Sequence, residues 1–204
     1  MSYRTLAEPY VFADEPVKGS RFVALAAPVT DEVAFDQVLA DARGRWPDAT
    51  HHCWAWRLRG GAHRSADAGE PGGSAGRPIL AQIDGHGVVD VGIVVARWFG
   101  GTKLGVGGLI RAYGGCAGRA LDRAAVVEVV PTVRLKVVHA YDDTGAVQAV
   151  LGAAGLGVAD TIYDVEVTRL VDVPEPDAEA LVARLVDRTS GRARVERVSG
   201  GEAS

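Results

Sequence analysis

Residues 97–114 read R-W-F-G-G-T-K-L-G-V-G-G-L-I-R-A-Y-G. The stretch opens as the end of an apolar strand, expected over Val88–Phe99, and crosses a glycine-dense turn carrying Lys103. It then enters a helix whose apolar positions, Leu109, Ala112, Tyr113, Cys116, Ala117 and Leu121, alternate by three and four as on a helix with one buried face. Gly100, Gly101, Gly105, Gly107 and Gly108 permit positive φ and leave backbone N–H groups bare. Arg97, Lys103 and Arg111 add positive charge where the helix dipole is also positive. Together these residues predict an anion-binding ledge, to which Arg77 is a further candidate cation.

Outward from the ledge, the preceding chain reads as strand Ser20–Val29, a helix with Phe35, Val38, Leu39, Ala42 and Trp46 buried and Thr30 as its cap, then strand His51–Arg59. Met1–Val17 reads as a lead-in with a first strand near Tyr10–Phe12. Alternation in H-H-C-W-A-W-R-L-R puts His52, Trp54, Trp56 and Leu58 on one face and His51, Cys53 and Ala55 on the other. The two tryptophans read either as core or, if that face is wet, as a base-stacking platform. No second ligand pair accompanies His51, His52 and Cys53, so no metal is expected.

Gly60–Gly76 reads as a polar loop without an element of its own. Gly72-x-Ser74-x-Gly76 spells a nucleophile elbow, but no strand precedes it, and only His86 and His139 follow. Ser74 is read instead as the cap of the helix carrying Pro78, Ile79, Leu80 and Ile83. Glu70, set between glycines and prolines, is a candidate partner for Arg97, Lys103 or Arg111, holding the loop over the ledge. The glycines match neither a Walker A loop nor G-x-G-x-x-G, so no nucleotide cofactor is expected. Gly114, Gly115 and Gly118 inside the helix imply close packing against the sheet.

After a strand over Val126–Val130, the order strand–helix–strand–strand–helix–strand from Thr132 is the split ferredoxin-like unit, with Asp177 capping its second helix. The expectation is an α+β protein of two domains, an N-terminal α/β sandwich over 1–130 and a ferredoxin-like domain over 131–204.

The 204 residues are 48% hydrophobic and 24% charged, ordinary for a globular protein. No apolar run reaches membrane length and the N-terminus lacks a signal-peptide core, so a cytoplasmic protein with free, reduced Cys53 and Cys116 is expected. Net charge is −4, yet Arg43–Arg123 carries 11 bases against 6 acids, a distribution compatible with one face that meets polyanions.

Three segments, W-P-D-A-T-H-H-C-W-A-W (46–56), A-D-A-G-E-P-G-G-S-A-G-R-P (66–78) and the 97–114 stretch, resemble the motifs of the YigZ/IMPACT family in the same order. Ala68 stands where that family usually has aspartate. The resemblance implies an N-terminal domain like the second domain of a small-subunit ribosomal protein and domain IV of elongation factor G. The second domain would then look like domains III and V of that factor. It also implies a role in translation, since eukaryotic relatives compete for the activator of an amino-acid-starvation kinase. Three functions are left open: a non-enzymatic module binding RNA, the ribosome or a translation-factor protein; an enzyme on a small anionic substrate with Glu70 or His52 as acid/base; and a structural domain with no anion site.

Overall fold

The computed structural model describes residues 2–198; Met1 and 199–204, which the expected domain limits include, lie outside the described residues. The chain divides into two compact units, one over 3–129 and one from residue 130 on.

The first unit is built on a five-stranded sheet in which every neighbouring pair is antiparallel. Its strands are β2 (Tyr10–Ala13), β3 (Arg21–Pro28), β4 (His51–Arg57), β5 (His63–Ala66) and β6 (Val91–Trp98), in the order β2-β3-β6-β4-β5. The most hydrophobic segment, β6, is the central strand, and its residues 91–97 are all buried. Such a strand needs helices on both faces. α1 (Glu32–Arg45) covers one, packing Phe35, Leu39 and Ala42 on Leu25, Val94 and Trp56. α2 (Gly76–Gly85) and α3 (Val106–Arg123) cover the other, where Ile79, Tyr113 and Cys116 meet Cys53, Ile93 and Val95.

Because α1 covers its face, the base-stacking reading of β4 fails. Trp56 is 4% exposed, and the Trp54 and Trp56 rings lie 5.0 and 6.5 Å from Phe35. The lead-in is also more ordered than its composition implies. β1 (Tyr3–Leu6) pairs with β7 (Val126–Val129) in a separate two-stranded sheet, long-range pairing that four residues alone do not signal.

Three capping assignments change. Asp31, not Thr30, caps α1, its carboxylate accepting from the Ala34 amide at 2.8 Å. Asp177 makes no side-chain cap of α5 (Ala178–Arg188), because a 3-10 turn over Glu175–Asp177 already leads into that helix. The start of α2 is capped from outside by Asp67, as described below. Gly114 and Gly118 do pack closely, but against α2 rather than the sheet: a Cβ on Gly114 would lie 3.5 Å from Pro78, and one on Gly118 would lie 2.6 Å from the Gln82 side chain, whereas one on Gly115 would meet only Arg119 of its own helix.

The second unit contains β8 (Thr132–His139), α4 (Thr144–Ala153), β9 (Asp160–Tyr163), β10 (Val167–Pro174), α5 (Ala178–Arg188) and β11 (Arg194–Val198). The sheet order β11-β8-β10-β9, antiparallel throughout, is the ferredoxin-like arrangement. Leu135, Val137, Val147, Leu151, Leu181 and Leu185 form its core. Among the described residues no helix is long and apolar enough to cross a membrane.

Candidate functional site

The segment read as a featureless loop contains β5, which pairs with β4 through a turn closed by Leu58 and Ala62. Directly after β5, the Asp67 carboxylate accepts from the amides of Gly73 (2.7 Å), Ala75 (2.9 Å) and Gly76 (2.8 Å). A carboxylate on a helix's first amides satisfies donors that the helix itself leaves open. Burial works to raise the Asp67 pKa, but the three amides and the nearby Arg77 reverse that and hold it below the ordinary value. Ser74 is turned away from the role the sequence suggested, its hydroxyl donating to the Pro71 carbonyl at 2.6 Å. Gly76 is where backbone meets backbone, since a Cβ there would stand 2.7 Å from the Ala66 nitrogen.

This tied loop carries Glu70 inward against β6 and α3. Glu70 Oε1 accepts from Arg97 Nη1 at 2.5 Å and from the Tyr113 hydroxyl at 2.7 Å. The Glu70 and Arg97 side chains are each 5% exposed. Arg97 Nη2 donates to Ser20 Oγ at 3.2 Å, and the guanidinium lies 5.6 Å from both the Phe22 and Phe99 ring centres. Among the described residues its buried Nε–H has no acceptor, and no hydrogen bond reaches Glu70 Oε2. Burial above all, with Cys53 and Glu70 beside it, pushes the Tyr113 phenol pKa up, so it stays a donor. Of the possible partners read from sequence, Glu70 has taken Arg97. That cation is therefore neutralised within the protein and is not a free element of the ledge.

Beyond β6 the glycines divide by purpose. The Gly100 amide donates to Ser20 Oγ, so this glycine serves packing and is not a bare donor. Gly101 and Gly105 hold positive φ, +83° and +71°, and both are exposed. Gly105 is the N-cap of α3 and offers no side chain. The first intrahelical bond runs from the Leu109 amide to the Gly105 carbonyl, and the amides of Val106, Gly107 and Gly108 have no acceptor among the described residues. The two long helices on this face thus begin differently: α2 is closed by Asp67, whereas α3 is left open.

The α3 mouth gives onto a cleft of about 340 Å³, walled by Pro71, Phe99, Leu104, Val106 and Leu109, with Lys103 at its side and Glu70 and Arg97 also lining it. Phe99 and Val106 are 48% and 52% exposed. Leu104 separates this cleft from a second of about 180 Å³, where Arg111 and Gly108 meet Lys18 and Arg119. Lys103 and Arg111 are exposed, and Arg119 is paired with Asp14. Arg77 lines neither cleft and sits in the first turn of α2, acting on Asp67. Phe99 and Lys18 were not singled out by sequence. Phe99 sits two residues after Arg97, so β alternation already placed it on the Arg97 face.

No acid/base pair assembles here. His52 lies on the α1 face of β4, opposite Glu70; His51 Nε2 approaches Glu70 Oε1 only to 4.0 Å, and its Nδ1 is engaged with the Ala68 carbonyl at 2.9 Å. Cys53 is buried on this face, and burial raises its thiol pKa to about 12, removing it as a nucleophile. The arrangement can hold an anion at the amides and a flat apolar group against Phe99.

Comparison with known proteins gives two domain matches, the Impact N-terminal domain over residues 18–121 and a domain of unknown function, DUF1949, over residues 137–192. The chain is 34% identical over 182 residues to IMPACT family member YigZ of Escherichia coli, covering 87% of this chain and 89% of that protein. It is 39% identical over 183 residues to the IMPACT family member in the pol 5′ region of Thermus thermophilus, covering 88% and 99%. The protein IMPACT homolog of Saccharomyces cerevisiae matches at 39% identity over 102 residues, 46% of this chain and 39% of that one. A crystal structure described as that of a hypothetical protein superposes with a TM-score of 0.73 at 31% identity, covering 98% of both chains.

Proposed function

The chain belongs to the IMPACT family, and from that membership we propose that it is a translation-associated binding module which takes up RNA at the mouth of α3. The observation that carries this reading is the open helix start. The amides of Val106, Gly107 and Gly108 have no acceptor among the described residues, and Val106 lines a cleft beside exposed Lys103 and half-exposed Phe99. Helix amides hold phosphate without demanding a particular sequence, an aromatic ring stacks any base, and lysine or arginine along the groove neutralises the following phosphates. Lys103 in the first cleft and Lys18 and Arg111 in the second set such a track on either side of Leu104. Glu70 belongs to this reading as a support, fastening the 67–76 loop to β6.

An enzymatic role finds less support. The one buried carboxylate in the cleft is already bound to Arg97 and Tyr113, and no histidine or thiol stands ready to exchange a proton with it.

The test is binding of a single-stranded RNA, and of ribosomal particles, at low and high salt, parent against Lys103→Ala/Arg111→Ala. Affinity is expected to fall steeply with salt, and the double variant to lose about tenfold or more with a shallower salt slope. A double variant that binds as tightly as the parent removes the α3 mouth as the site.

A further inference from the structure

We propose that the cleft at the α3 mouth takes one guanine base of a single-stranded RNA, edge-on to Glu70 and flat against Phe99, with the adjoining phosphate on the α3 amides. This rests on the RNA reading above and adds what the site selects.

The selecting group is the Glu70 carboxylate. Its side chain is 5% exposed and lines the cleft, Oε1 is taken by Arg97 and Tyr113, and Oε2 has no hydrogen-bond partner. Oε2 is open to the cleft rather than sealed, so an N–H or O–H donor of a guest can reach it. An acceptor-only floor therefore selects among bases by the donors on their edges. Guanine is the one base that sets a ring N–H and an amino group side by side, with an acceptor, O6, next to them. Adenine and cytosine offer an amino group beside a bare ring nitrogen, whose lone pair would face the carboxylate. Uracil flanks its single N–H with two carbonyl oxygens, which the carboxylate repels.

The rest of the cleft suits the same occupant. O6 needs a cation, which Lys103 supplies from the cleft wall. Phe99 offers an exposed ring face, and Pro71, Leu104 and Leu109 complete an apolar slot for a planar group. A volume of about 340 Å³ lies at the small end of ligand pockets, roughly 300–1,000 Å³, and holds one nucleotide rather than a duplex. The phosphate requirement falls to the open start of α3, where Val106 lines this cleft and Gly108 the neighbouring one.

The test uses the full chain and four labelled RNAs: oligouridine, and the same strand with a single guanosine, inosine or adenosine at its middle. The guanosine strand is expected to bind about tenfold tighter than the other three, within the discrimination a pair of base-edge hydrogen bonds supplies. Inosine, which lacks the 2-amino group, should fall toward oligouridine. Glu70→Gln should bring the guanosine-to-oligouridine affinity ratio close to one; should that variant fold poorly, Lys103→Ala, at an exposed position, should weaken every strand, and the guanosine strand most, narrowing the same ratio. Equal binding of all four strands to the parent overturns guanine selection and leaves the RNA reading standing. No binding of any strand or of ribosomal particles overturns both.

Discussion

Gly19 and Gly100 lie backbone against backbone: a Cβ on Gly100 would stand 2.0 Å from the Gly19 carbonyl carbon. The end of β6 can approach the turn before β3 only without a side chain there. Gly100→Ala is therefore expected to cost about 1–3 kcal/mol, the range for forced overpacking, read as a lower urea midpoint. Gly101→Ala meets no atom within 4 Å, so its smaller loss would come from the +83° φ alone, about 1–2 kcal/mol.

Breaking the Glu70–Arg97 pair from one side leaves a buried charge without a partner. Glu70→Ala and Arg97→Ala should each destabilise by about 3–5 kcal/mol. The double variant should lose much less than their sum, a non-additivity that equilibrium unfolding of the four proteins measures. Strict additivity would mean the two groups do not act on each other.

Ala68 holds φ at +45°, a region that suits glycine and disfavours alanine. Its side chain is exposed and its carbonyl serves His51, so nothing is gained by the Cβ. Ala68→Gly should stabilise by about 0.5–1 kcal/mol, net of the greater chain entropy of glycine, seen as a higher melting temperature. No change or a loss would show that the left-handed backbone here carries little strain.

Asp67 ties pH to the start of α2. Its folded pKa lies below the ordinary 3.8, so its contribution is complete above that value and fades as pH falls through the folded pKa. Asp67→Ala should cost about 1 kcal/mol near neutrality, a typical cap loss. The gap between parent and variant should then narrow below pH 3.8, as chemical denaturation at stepped pH would record. A gap that stays constant into strong acid would mean the folded pKa is not depressed.

Cys53 and Cys116 are fully buried, and burial raises both thiols to about 12. Thiol reagents should leave both unmodified in the native protein at neutral pH and label both promptly in denaturant. Rapid native labelling of either would show that its strand or helix opens.

The sequence carried the large features because they repeat along the chain. An unbroken apolar run over 91–96 and a three/four alternation in 106–123 mark an interior strand and a one-faced helix without tertiary information. β1 and β5 escaped, because four residues with little apolar content become strands only when a distant partner, β7 or β4, supplies the ladder. Of the site, the glycines and the Glu70–Arg97 pairing could be anticipated. That Gly100 is a packing position and that Asp67, six residues before Gly73, caps α2 depends on where the chain returns in space. Phe99 was overlooked because it reads as the last residue of a buried strand, yet the strand ends one residue earlier and frees the ring.

The bare start of α3 has one more implication. Its attraction for negative charge comes from peptide dipoles, which have no proton to gain or lose and no side chain for a modifying enzyme to acetylate or methylate. Changes in acidity would leave that attraction intact, and a modifying enzyme could tune occupancy only through the flanking Lys18, Lys103 and Arg111 side chains, never through the helix mouth itself.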